Sequence, residues 1–150
     1  MYERLFEGST PLVERLRVEG PFDTNEEMLA RARAILGELS EAEQIAVINA
    51  HPRIGERPER VRAQSSLAYR EQGYERDDTP SDVFRELARL NAEYERKFGF
   101  RFVVFVNRRS KAALVPVLEA RLRRSREQEL ATALADIVAI AEDRLRQEAK

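Results

Sequence analysis

Phe100-Arg101-Phe102-Val103-Val104-Phe105-Val106 is the one stretch of this 150-residue chain that reads as β. Aromatic and β-branched residues fill it, Gly99 precedes it and Asn107 follows it. A strand needs a neighbour, and no second run exists to pair with it, so no sheet can be completed. The segment is therefore expected as a buried extended stretch or as a helix start. On both sides of it the pattern is helical. Upstream, Val83, Leu87, Leu90 and Tyr94 share one helix face. Thr79 as cap, Pro80 at the first helical position and Asp82 in the first turn open that helix, and Gly99 stops it. Downstream, Ser110 caps a helix running through Leu122. Ser125 and Gln128 form a capping box for a last helix carrying Leu130, Leu134, Ile137, Ala141 and Leu145.

Further upstream, Pro11 after Ser9-Thr10 opens a short helix that Gly20-Pro21 closes. Thr24 with Glu27 caps a helix from about Asn25 to Leu39, and Ser40 with Glu43 caps another that presents Ile45 and Ile48. Pro52 then keeps His51 out of α geometry, so the histidine sits at a helix exit. Residues 53–64, rich in Arg, Glu, Pro and Gly, read as loop, and a helix is expected around 65–73. The fold class is all-α: six or more helices, no sheet, one compact domain over residues 1–150. With 43% hydrophobic residues the chain has enough apolar surface for one core.

Composition removes several function classes. Lys+Arg 26 against Asp+Glu 27 leaves a net charge of -1, so no long-range field draws the chain to nucleic acid or membrane. There is no cysteine and one histidine, which rules out disulfides, thiolate metal sites and cysteine nucleophiles; no metal is expected. No leader or membrane span is visible, so a cytoplasmic protein is expected. Walker loops, dinucleotide fingerprints, nucleophile elbows and His-Glu-x-x-His pairs are absent from the sequence. What remains is cofactor-free acid–base chemistry or a binding role.

His51 is the side chain whose ordinary pKa lies nearest neutrality, and the following proline fixes its backbone. Such a position suits an acid or base, and it equally suits a buried histidine that fills a core gap. Glu71, in the next expected helix, would fix the imidazole tautomer and raise its pKa if the two met; otherwise it is one more surface carboxylate. Only Lys97, Lys111 and Lys150 are lysine, so arginine carries nearly all the positive charge. Among these, Arg121, Arg123, Arg124 and Arg126 form a basic run that Glu119, Glu127 and Glu129 dilute, which reads as a solvated face. The aromatics of Phe98-Gly99-Phe100-Arg101-Phe102 could stack on a planar ligand, with Phe98 or Phe100 covering its face, or simply pack in the core.

Four blocks together carry a resemblance: His51-Pro52-Arg53-Ile54-Gly55; Glu71-Gln72-Gly73; Leu90-Asn91-x-x-Tyr94-x-x-Lys97-Phe98-Gly99-Phe100; and Arg144-Leu145. With the opening Phe6-Glu7-Gly8-Ser9-Thr10-Pro11 and the Pro21-Phe22 turn, the sequence resembles the 2-oxo-4-hydroxy-4-carboxy-5-ureidoimidazoline (OHCU) decarboxylase family over nearly its whole length. That family makes (S)-allantoin in urate breakdown. The resemblance implies an all-α fold, a homodimer, a small-molecule ureidoimidazoline substrate and a reaction without cofactor or metal. It further implies His51 as the catalytic proton donor and Glu71 as its carboxylate partner. Pro52, Ala68 and Gln72 would line the substrate pocket, Val103, Val104, Phe105, Val106 and Asn107 would supply backbone contacts, and Arg144 would meet the substrate carboxylate. The chain departs from the family at Arg53-Ile54-Gly55, where Asp-Leu-Ala or similar is common, and at Ala68, where serine is common. The alternative reading is a non-catalytic helical module that holds a related carboxylated heterocycle or a protein partner.

Overall fold

The computed structural model describes residues 1–76 and 79–149, and among them it is helical with no strand. Nine α-helices follow one another in these described residues: α1 Tyr2–Phe6, α2 Pro11–Glu19, α3 Asn25–Glu38, α4 Glu41–Asn49, α5 Pro58–Gln64, α6 Ser66–Glu71, α7 Ser81–Phe98, α8 Lys111–Arg121 and α9 Arg126–Glu148. A single 3-10 turn, Tyr74–Arg76, links α6 toward α7. The long α9 is the spine, packed against α1, α3 and α4, while α7 packs on α8 and α5 on α6.

Local chemistry sets most of the helix starts. Thr10, Ser40, Ser110 and Ser125 each accept a hydrogen bond from the third helical amide, and Ser40–Glu43 and Ser125–Gln128 close full capping boxes. Thr24 accepts from the Glu27 amide, but the Glu27 carboxylate accepts from Asp23 N–H, one residue earlier than a reciprocal box requires. Three expectations are corrected. Residues 58–64 form α5 rather than loop, because Pro58 occupies the first helical position and fully buried Val61 packs into a small cluster with Ala68 and Tyr74. A short α1 precedes the expected first helix, held by the burial of Leu5 and Phe6. Helix α7 starts at Ser81 with Pro80 as its cap residue, one position later than a Thr79 cap would give.

Residues 100–106 take the first of their two expected forms: buried, without helix and without a paired strand. Phe98, Phe100 and Phe102 surround the ring of Tyr94, with centroids 4.6, 6.0 and 5.4 Å away from it. A buried backbone without sheet partners must find other acceptors and donors. Here side chains supply them: Asn49 Oδ1 accepts from Arg101 N–H at 3.0 Å, Arg121 donates to Val103 C=O at 2.8 Å, and Asp136 accepts from Phe105 N–H at 3.0 Å. The basic run is therefore not wholly a solvated face. Arg121 is buried, ion-paired to fully buried Glu129 at 2.7 Å, and Glu129 also accepts from Tyr94 Oη at 2.6 Å.

Candidate active site

A cavity of about 490 Å³ opens between the end of α4, the α6 helix, the 102–109 segment and the C-terminal half of α9. Such a volume suits a small heterocycle. His51, Pro52, Ala68, Glu71, Gln72, Val103, Val104, Phe105, Val106, Asn107 and Arg144 all line it. The sequence reading missed Glu7, Ile54, Arg70, Arg108, Arg109, Ile140 and Asp143, which line it too. Glu7 stood inside the opening motif, but nothing in the sequence said that the N-terminal turn folds back onto α9. The ring at the wall is Phe102; Phe98 and Phe100 are committed to the core around Tyr94 and do not line the cavity.

His51 leaves α4 where Pro52 ends the helical path, and its amide closes a last turn on Ile48 C=O. Its Nδ1 lies 3.2 Å from Val47 C=O. A carbonyl only accepts, so Nδ1 carries the hydrogen and Nε2 is left as a bare lone pair. Nε2 is buried and has no hydrogen-bond partner among the described residues. Burial, and then the positive charge of Arg144, push the imidazole pKa down to about 3. At neutral pH the ring is uncharged, and its free nitrogen presents a lone pair.

Among the described residues His51 and Glu71 share no hydrogen bond. Both side chains line one cavity, but the two Glu71 oxygens are taken by Arg144, Nε to Oε2 at 2.9 Å and Nη2 to Oε1 at 2.8 Å. The tautomer is set by the backbone of α4, and the imidazole pKa moves down rather than up. Arg144 is engaged within the protein as well. Its remaining hydrogens go to Arg4 C=O at 2.8 Å, Leu5 C=O at 3.3 Å and the Glu7 carboxylate. A guanidinium has five N–H donors, and all five are engaged, so none is free for a substrate carboxylate. Burial raises the pKa of Glu7 despite the neighbouring arginine, and Ser65 Oγ donates to it at 3.0 Å.

Gln72 fastens the loop after Pro52: its Oε1 accepts from Gly55 N–H at 3.0 Å and its Nε2 donates to Arg53 C=O at 3.2 Å. Arg53, one of the departures from the family pattern, is held by Glu95 at 2.7 Å and Glu56 at 3.2 Å, which pins the same loop from outside. On the opposite wall, Val103 C=O and Phe105 N–H meet Arg121 and Asp136, which lie 3.7 Å from each other. Groups two residues apart on one side are the alternation of an extended chain. Val104 and Val106 therefore turn their amides to the other edge, and neither amide has an acceptor among the described residues. The cavity thus brings a neutral imidazole together with the 103–107 backbone segment, and Ile54, Phe102 and Ile140 add apolar surface to its lining.

The OHCU decarboxylase family profile matches residues 1–146. A 2-oxo-4-hydroxy-4-carboxy-5-ureidoimidazoline decarboxylase of Haloferax volcanii is 30% identical over 144 residues, covering 96% of this chain and 84% of the relative. The uric acid degradation bifunctional protein PucL of Bacillus subtilis is 30% identical over 142 residues, 94% of this chain and 28% of that longer protein. Among solved structures, a crystal structure of OHCU decarboxylase in the presence of (S)-allantoin superposes with a TM-score of 0.78 at 26% identity, covering 97% of this chain and 95% of the other.

Proposed function

The chain belongs to the OHCU decarboxylase family, and from that premise we propose that it decarboxylates a ureidoimidazoline of uric acid degradation to (S)-allantoin, with His51 Nε2 moving the proton. The observation that carries this reading is the bare, buried Nε2 of a neutral imidazole beside a cavity of heterocycle size. As the carbon–carboxylate bond breaks, its electron pair forms a double bond between the two ring carbons. The neighbouring carbon–nitrogen π pair moves to nitrogen, which takes a proton from solvent. His51 then removes the hydroxyl proton of the former carboxylate carbon and returns it to the adjacent carbon, leaving a carbonyl and one new C–H. Because His51 stands on one wall only, the proton arrives on one face, and a single enantiomer results.

The remaining groups hold the ring. Val104 and Val106 amides donate to ring oxygens, where charge develops as CO2 leaves. Glu71 keeps lone pairs beyond its two bonds to Arg144 and accepts from a ureido N–H. Arg144 ties Glu7 and Glu71 together, and its charge adds to burial in holding the imidazole unprotonated. We further propose that the chain acts as a cytoplasmic homodimer without cofactor, which light scattering of the purified protein tests for assembly. Among the described residues no helix is long and apolar enough to cross a membrane.

The test is turnover of freshly generated ureidoimidazoline, followed by CO2 release and by the optical activity of the product. Faster CO2 loss with (S)-allantoin in excess supports the proposal. Racemic product at the uncatalysed rate, with ligand-dependent thermal stabilisation, would instead favour the non-catalytic binding module.

A further inference from the structure

The saturation of Arg144 leaves the substrate carboxylate without an evident cation, and the cavity carries other arginines. Arg70 is paired with Glu75 at 3.7 Å. Arg109 turns back on its own loop, Nε to Val106 C=O at 3.0 Å and Nη2 to Phe105 C=O at 2.6 Å. Arg108 lines the same cavity, is exposed, and among the described residues has no ion-pair, hydrogen-bond or ring partner. Its backbone is also unusual: φ is 62° at Arg108 and 48° at Asn107, two successive left-handed residues without a glycine. That conformation disfavours a Cβ, and glycine is the residue it normally selects. A long cationic side chain stands there instead, at the point where the backbone wall ends and the cavity opens.

Resting on the decarboxylase reading, we propose that Arg108 is the capture residue for the anionic substrate, meeting its carboxylate at the mouth of the cavity before the ring seats against His51. A guanidinium fork suits a carboxylate in two-point contact. Its place at the mouth, rather than in the interior, also fits the chemistry. The carboxylate must lose its charge as CO2, so a cation holding it tightly in the interior would oppose the reaction, whereas one at the entrance raises capture without doing so. The interior cation, Arg144, is already neutralised by two carboxylates.

The experiment compares wild type with Arg108→Gly, which retains the left-handed turn, and with Arg108→Lys, which retains the charge. Arg108→Gly is expected to raise KM about tenfold with kcat within about twofold, to flatten the fall of kcat/KM with salt, and to leave the melting temperature unchanged. Arg108→Lys recovers most of the KM. Calorimetry with hydantoin-5-acetate, a carboxylated ring, should show weaker binding to Arg108→Gly, while uncharged (S)-allantoin binds both proteins equally. Unchanged KM and unchanged hydantoin-5-acetate binding in Arg108→Gly overturn the proposal. A wild type that fails to turn over ureidoimidazoline overturns the decarboxylase reading instead, and the calorimetric comparison still decides whether Arg108 reads the anion.

Discussion

The helical wall of the cavity, built from the end of α4 with α6 and α9, pairs formal charges with one another; the wall from Phe102 to Asn107 derives its polarity from peptide groups. On the helical wall Arg144 spends every hydrogen on Glu7, Glu71 and two carbonyls, and Gln72 is tied into the loop after Pro52. The buried side-chain atom of that wall left without a partner, among the described residues, is His51 Nε2. On the other wall one edge is fastened by Arg121 and Asp136, and the amides of Val104 and Val106 are left over. In both, the group available to a ligand is what the fold has not used. The two leftovers are chemically opposite, a lone pair and a pair of donors, which is what a ring that must both give up a proton and hold negative charge requires.

Removing the lone pair should produce the largest effect. His51→Asn is expected to lower kcat by about 10²–10⁴-fold while the helical circular dichroism signal stays unchanged. The pH dependence separates the neutral-base reading from a charged donor. With the imidazole pKa at about 3, the acid limb of kcat/KM in the wild type should lie far below pH 6.5. The same shift affects stability. Between pH 6.5 and about 3 the unfolded histidine takes a proton that the folded one refuses, so stability falls as pH drops through that window. His51→Asn should abolish that part of the acid loss, seen as a smaller difference between urea midpoints at pH 7 and pH 4.

Next in size is the charge cluster of the helical wall. Arg144→Met leaves two carboxylates facing each other, one of them buried, and breaking a buried pair in this way costs about 3–5 kcal/mol. Urea unfolding should show that loss, and the double variant Arg144→Met with Glu7→Gln should recover part of it. A wall that merely packed apolar surface would show no recovery. The extended wall should respond more gently. Asp136→Ala leaves Phe105 N–H without its acceptor, at about 1–3 kcal/mol, and lets the Val104–Val106 edge drift, so KM and the enantiomeric excess should both change. Asp136→Asn, which still accepts, should restore both.

Legibility in the sequence followed the same division. Helices announced by caps and by a long apolar face were readable, because Ser40, Ser110 and Ser125 act within one turn of their own position. Helix α5 was not, because among the buried residues it contributes only Val61 and its remaining positions look like a charged loop. The lining of the cavity was legible through motif spacing, yet the partner of each polar group was not. Glu71 is as near to His51 in sequence as any reading needs, but Arg144, seventy-three positions later, claims it. Arg121 looked like surface charge because its counter-ion Glu129 and its backbone target Val103 belong to different elements. Pairings made across helices depend on how α9 lies against α1 and α6, and no local pattern encodes that.

The smallest predicted effect tests whether the helical wall has donors to spare. Ala68 is 7% exposed, lines the cavity, and lies in the first turn of α6, where its own amide is already satisfied by Ser65 Oγ at 3.0 Å. A serine there, as the family commonly carries, would place a hydroxyl beside the ring without disturbing the cap. One neutral hydrogen bond is worth about 0.5–1.5 kcal/mol, which is roughly a two- to tenfold rise in kcat/KM for Ala68→Ser. Stability should change by less than about 0.5 kcal/mol, because serine and alanine differ little in size and the site faces the cavity. A fall in kcat/KM would mean that this wall is meant to be apolar at Ala68. The ring would then be oriented by the backbone wall, His51 and Glu71 without a hydroxyl from α6, and the division between the two walls would be sharper than the present geometry requires.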